Sequence, residues 1–172
     1  MNNNKSRILK EIFSKPTYKF HIRELAKITN LNPNTIINIT ESLVKEDILI
    51  QEKKKHITEI SFNFDNPKAV IRKRLSNIEQ LYSSGLIEHL TSKLNPELIS
   101  AIGSYSKGED IEKSDIDIVI IADKEEYPDL SRYEKSINRK IHLIITHYKK
   151  MSDEFYTNLI NGLILYGYIN KK

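Results

Sequence analysis

Two aspartates separated by a single residue, Asp115 and Asp117, open an otherwise apolar run that ends at Ile121. Side chains on a strand repeat every two residues, so both carboxylates belong on one sheet face, roughly 6.6 Å apart along the chain. Two acids at that spacing suit one or two divalent cations held against a triphosphate. Val119 and Ile121 extend the Asp face into a core, while Ile116, Ile118 and Ile120 supply the opposite face. A strand apolar on both faces is a central one. Carboxylates at its exposed end are costly unless something positive sits beside them. Upstream, Gly103-Ser104 follows an apolar run, and Gly108 and Ser114 lie in the polar turn that leads to the aspartates.

Gly103, Ser104, Gly108, Ser114, Asp115 and Asp117 together resemble the signature of the nucleotidyltransferase superfamily that includes DNA polymerase β, most closely its minimal branch. The resemblance implies that Gly103 and Ser104 sit at a helix N-terminus and, with Gly108 and Ser114, bind the nucleotide. It also implies that Asp115 and Asp117 hold magnesium, or manganese. The physical chemistry agrees: unpaired N–H groups and the helix dipole attract phosphate, and glycine permits close backbone approach. The implied reaction passes a nucleoside monophosphate from an NTP, ATP by first expectation, to an acceptor. In that family the acceptor is often a partner protein within a toxin–antitoxin pair.

One position departs from the pattern. The superfamily carries a third carboxylate on the strand after the Asp-x-Asp strand, and the equivalent position in RKIHLIITHYKK is His142. Imidazole serves as a base near neutral pH but is a poor magnesium ligand, because that ion prefers oxygen. Asp110 and Asp123 are the other acids near enough in sequence to stand in. His142 therefore leaves two readings open. One is a working transferase with His142 among its catalytic residues. The other is a non-enzymatic regulator whose degenerate transferase domain binds only nucleotide or a partner.

The signature needs a sheet and covering helices, and the pattern supplies them. Leu86, Ile87, Leu90 and Leu94 make a helical patch before Pro96. Ser131–Ile137 reads as a helix, Lys140–Thr146 as a strand, Met151–Ile160 as a helix, and Gly162–Tyr168 as the closing segment. Asn66-Pro67 starts a long helix with Ile71, Leu75, Ile78 and Tyr82 at helical spacing. That stripe is expected to pack within the chain, with a homodimer seam as the alternative.

The first part of the chain has a different character. Residues 1–75 carry 15 Lys/Arg against 8 Asp/Glu, whereas residues 76–172 carry 12 against 15. This asymmetry points to two modules with different partners. Ile8, Leu9, Ile12 and Phe13 form one helical stripe, ended by Pro16. HIRELAKI turns Ile22, Leu25, Ala26 and Ile28 inward. Asn32 and Pro33 then cap a third helix, about Pro33–Glu46, with Ile36, Ile39, Leu43 and Val44 inward. Ile48–Gln51 and the run Ile57, Ile60, Phe62 read as a β-hairpin around Glu52–Lys55.

Three helices and a hairpin in this order resemble a winged helix-turn-helix. The resemblance implies double-stranded DNA as a partner. Asn34, Thr35 and Asn38 on the outer face of the third helix would meet base edges, and Lys53, Lys54 and Lys55 would meet phosphate. The expected fold class is α+β. A winged helix-turn-helix occupies residues 1–66 and linking helices residues 67–95. A minimal nucleotidyltransferase domain with a mixed sheet occupies residues 96–172. No run is long enough to span a membrane and the N-terminus is polar, so no membrane partner and no signal peptide are expected. With no cysteine among 172 residues, a reducing cytoplasm is the expected location.

Overall fold

A computed structural model describes residues 3–54, 57–123 and 126–170 of the chain. It divides into two compact units, Met1–Ser76 and Asn77–Lys172, each with its own core.

The N-terminal unit runs α1 (Asn3–Ser14), β1 (Phe20–His21), α2 (Ile22–Thr29), α3 (Pro33–Lys45), β2 (Leu49–Lys54) and β3 (Ile57–Phe62). Its sheet is antiparallel, in the order β1-β3-β2. Ile8, Leu9, Ile12 and Phe13 of α1 are all buried, against Leu25, Ile36, Leu43, Ile60 and Phe62. At the start of α3 the Asn34 N–H donates to Asn32 Oδ1 at 2.9 Å, and Pro33 fills the first helical position, where a missing N–H costs nothing.

Ile28 departs from its expected place: it is 44% exposed, and Thr29 is buried instead. At about 100° per residue, Ile22, Leu25, Ala26 and Thr29 fit within one arc and Ile28 lies outside it. The Thr29 hydroxyl is satisfied by donating to the Leu25 carbonyl at 2.6 Å, so a polar residue occupies the inward position at little cost.

The division between the units falls inside α4 (Pro67–Ser83), whose first turn is capped by Asn66 Oδ1 accepting from the Lys68 N–H at 2.9 Å. The apolar stripe expected to pack inward is largely outward. Ile71, Leu75 and Tyr82 are 56%, 60% and 42% exposed, whereas Ala69, Lys73, Asn77 and Leu81 are buried. The inward face follows a strict four-residue spacing, but two of its members are polar, and this hid it from hydrophobic periodicity.

The C-terminal unit continues with α5 (Leu86–Leu94), β4 (Leu98–Ile102), α6 (Gly103–Lys107), β5 (Ile116–Ile121), α7 (Ser131–Ile137) and β6 (Ile141–Thr146). A 3-10 turn (Tyr148–Lys150), α8 (Asp153–Ile160) and β7 (Leu163–Gly167) complete it. The mixed sheet has the order β6-β5-β4-β7, with β5 and β6 parallel and the other pairs antiparallel. Ile116, Ile118 and Ile120 pack on Leu86, Leu90, Tyr133 and Ile137 on one face. Val119 and Ile121 pack with Leu98 and Leu159 on the other. β5 is thus buried on both faces, as its uninterrupted apolar sequence requires. Among the described residues no helix is long and apolar enough to cross a membrane.

Candidate active site

Three strands bring their ends together around Asp117. β4 places Ile102 opposite Asp117, and β6 places His142 beside it in parallel register. At the end of β4 the chain turns into α6 through Gly103, which has a φ of 73°. A Cβ at Gly103 would lie 2.7 Å from Asp117 Oδ2, so both the backbone conformation and the close carboxylate require glycine. His142 Nδ1 lies 3.0 Å from Asp117 Oδ1. The Asp117 carboxylate is thus flanked by the glycine turn at one oxygen and by imidazole at the other. Its side chain is 34% exposed and that of His142 is 63% exposed, so the pair faces solvent.

The segment between α6 and β5 is held by short local bonds. Gly108 caps α6 with a φ of 79°, its N–H directed at the Ser104 and Tyr105 carbonyls. Ser114 closes a turn on itself: its Oγ accepts from the Ile111 N–H at 3.0 Å, and its own N–H donates to the Ile111 carbonyl at 3.0 Å. Asp115 follows, exposed, just before β5 begins at Ile116. Helix α6 has only five residues, so its dipole adds little; anion binding there would rest on the first N–H groups themselves.

Asp110 and Asp123 do not join Asp115 and Asp117. Asp110 is 1% exposed: Asn77 Nδ2 donates to its Oδ1 at 2.8 Å, and the Arg139 guanidinium lies 3.7 Å from its Oδ2. Asp123 sits beyond the far end of β5 with a fully exposed side chain, 3.9 Å from His147 Nδ1. Beside Asp110, burial pushes the Tyr105 hydroxyl well above the usual tyrosine range; this hydroxyl donates to Gln80 Oε1 at 3.0 Å. Asn77, Tyr105 and Arg139 carry no signal in the sequence, because an isolated polar residue or a short charge run normally marks surface.

Asp115 and Asp117 offer the hard oxygen donors that a magnesium or manganese ion takes. Among the described residues no group of three His, Cys, Asp or Glu side chains is gathered to hold an ion. Two carboxylates fit an ion whose remaining ligands are water and nucleotide phosphate, not one caged by protein alone.

In the N-terminal unit, Asn34 and Asn38 are exposed on α3 and Thr35 is half-buried. Lys53 is exposed at the hairpin end, while Lys54 pairs with Glu59 at 2.9 Å and Glu52 at 3.6 Å. Lys55 lies outside the described residues.

Residues 85–168 match the family described as "Polymerase beta, Nucleotidyltransferase". Over 82 residues the chain is also 37% identical to a protein of Methanocaldococcus jannaschii named "Putative protein adenylyltransferase", covering 42% of this chain and 78% of that one. The chain belongs to the polymerase β nucleotidyltransferase family.

Proposed function

We propose that the C-terminal unit transfers a nucleoside monophosphate, AMP from ATP by preference, to a hydroxyl of a partner protein. The observation that carries this reading is the convergence of Gly103, Asp117 and His142 at the end of β5, with Asp115 next to it. The name borne by the archaeal relative supports adenylyl transfer to protein. An acceptor oxygen attacks the α-phosphorus as the bond to the bridging α–β oxygen breaks and pyrophosphate leaves. A bound divalent ion would neutralise charge on the transferring phosphoryl group. Asp115 and Asp117 would hold that ion, and the backbone at Gly103 and Ser104 would bind phosphate oxygens. Gly108 and Ser114 would act by shaping this segment. His142 takes the place of the third carboxylate, oriented through Nδ1 by Asp117, with Nε2 left to accept the proton of the attacking hydroxyl.

The N-terminal unit is read as a winged helix-turn-helix that binds double-stranded DNA, with Asn34, Thr35 and Asn38 toward base edges and Lys53 to Lys55 toward phosphate. Its strand order and the exposure of Asn34 and Asn38 support that reading. The domain assignment 1–66, 67–95 and 96–172 is proposed with these two readings, and a place in a toxin–antitoxin pair goes with the transferase reading. Outward Ile71 and Leu75 leave this part of α4 a small apolar stripe that a homodimer would cover. A second reading keeps nucleotide binding without transfer, because imidazole stands where an acid is expected.

Incubation with ATP labelled at the α-phosphate, magnesium and the protein encoded next to this chain separates the two readings. Label is expected on the neighbour, and lost with Asp117→Asn. Binding of ATP without any transfer, in magnesium or manganese, selects the regulator. If His142→Asp creates activity that the natural chain lacks, the histidine marks lost chemistry.

A further inference from the structure

Asp110 is a carboxylate buried beneath the segment that carries Asp115. One amide, Asn77 Nδ2, donates both to Asp110 Oδ1 at 2.8 Å and to the Tyr105 carbonyl at 2.9 Å, joining that carboxylate to the backbone of α6. The Arg139 side chain, 6% exposed, faces Asp110 Oδ2 and donates from Nη1 to the Glu112 carbonyl at 3.0 Å. Close by, the Ile116 N–H donates to the Lys140 carbonyl at 2.9 Å. Arg139 therefore ties the turn before Asp115 to the start of β6, the strand that carries His142. All these groups belong to the C-terminal unit.

The segment held in this way, Lys107–Asp115, has little regular structure: a helix end, the Ile111–Ser114 turn and the approach to β5. A five-residue helix and a single turn do not fix themselves in water. A buried ion pair is a poor source of stability, since well-packed apolar groups of similar volume commonly do as well or better. What the pair supplies that an apolar plug lacks is direction: bonds aimed at one carbonyl and one carboxylate. We propose that Asp110 and Arg139, keyed by Asn77, are positioning residues of the transfer site, setting the path of Lys107–Asp115 and so the placement of Asp115 relative to Asp117. This rests on the reading of the Asp pair as a nucleotide site and adds residues that touch neither nucleotide nor ion.

The test combines native-state hydrogen exchange of the full chain without nucleotide and magnesium titration of ATP binding. In Asp110→Asn, the Ile111 and Ser114 amides are expected to exchange about tenfold faster while Ile99, Ile118 and Ile120 keep their protection. The magnesium concentration giving half-maximal ATP binding is expected to rise about tenfold, and Arg139→Lys to fall between the natural chain and Arg139→Met. Unchanged exchange at Ile111 and Ser114 overturns the proposal. So does faster exchange spread evenly over the sheet, which marks a stabilising role only, or faster loop exchange with unchanged magnesium dependence. If Asp110→Asn does not fold, Asn77→Ser is read at the same amides. Absence of nucleotide binding by the natural chain defeats the functional reading, while the exchange result still decides whether this pair fixes the segment.

Discussion

The two units solve different problems with similar parts. Each sets helices against a small sheet, and each closes an apolar core. In the N-terminal unit the polar side chains of interest, Asn34, Asn38 and Lys53, stand on the surface over that core. In the C-terminal unit the polar groups go inside: Asn77, Asp110 and Arg139 lie beneath the segment that presents Asp115. Display of side chains along a helix needs only the helix to be rigid. On the proposed reading, carboxylates carried by a turn and a strand must be held in place together, and the groups buried beneath that turn are themselves polar.

Disrupting each core in turn probes that contrast. Leu43→Ala empties a fully buried position in the N-terminal unit and should cost about 2–5 kcal/mol. DNA binding should be lost and magnesium-dependent ATP binding kept, as followed by filter binding and calorimetry on one preparation. Loss of both would mean that the units depend on one another to fold. Next in size, Gly103→Ala puts a methyl group 2.7 Å from Asp117 Oδ2 in a left-handed conformation. Transfer should fall about a hundredfold, as displacement of a reacting geometry by an ångström can do, with DNA affinity unchanged. Equal transfer by the two proteins would show that the glycine turn is not part of the site.

Smaller effects sharpen the contrast. Lys53→Ala should lower the log–log salt slope of DNA binding by about one and weaken binding to every sequence alike. A change in sequence preference would place Lys53 at a base edge. The least effect is expected from His89, which packs on Tyr133 with ring centroids 5.1 Å apart. Its pKa is lowered by burial first and then by Arg132 and Lys93, against an opposing effect of Asp129. The unfolded chain then takes up a proton more readily than the folded one. The stability contributed is present above the ordinary histidine pKa, about 6.5, and declines as pH falls through the folded value. Chemical denaturation at successive pH values should show a shallower decline for His89→Phe, which keeps a ring against Tyr133. Identical pH profiles would rule out the contribution.

Much of the architecture was legible because apolar spacing and chain punctuation agreed. The stripe Ile8, Leu9, Ile12 and Phe13, the Asn32-Pro33 start of α3 and the two-faced strand β5 each satisfied their local rules together. The side-by-side placement of Asp117 and His142 depends on the parallel register of β5 and β6, which the fold supplies. Hydrophobicity misled where polar groups were buried. α4 buries the polar Lys73 and Asn77, so hydrophobic periodicity picks out its more apolar exposed stripe instead. Thr29 took the place of Ile28 for a related reason, its hydroxyl being satisfied by its own helix. Arg139 sits in the polar run NRK, which reads as solvated surface; only the fold brings it beside Asp110.

Titration calorimetry of ATP with magnesium into the full chain tests the nucleotide site most directly. The account predicts saturable binding that disappears in Asp115→Asn/Asp117→Asn while the melting temperature of the unliganded protein stays near that of the natural chain. No binding of any of the four NTPs, with magnesium or with manganese, would contradict it.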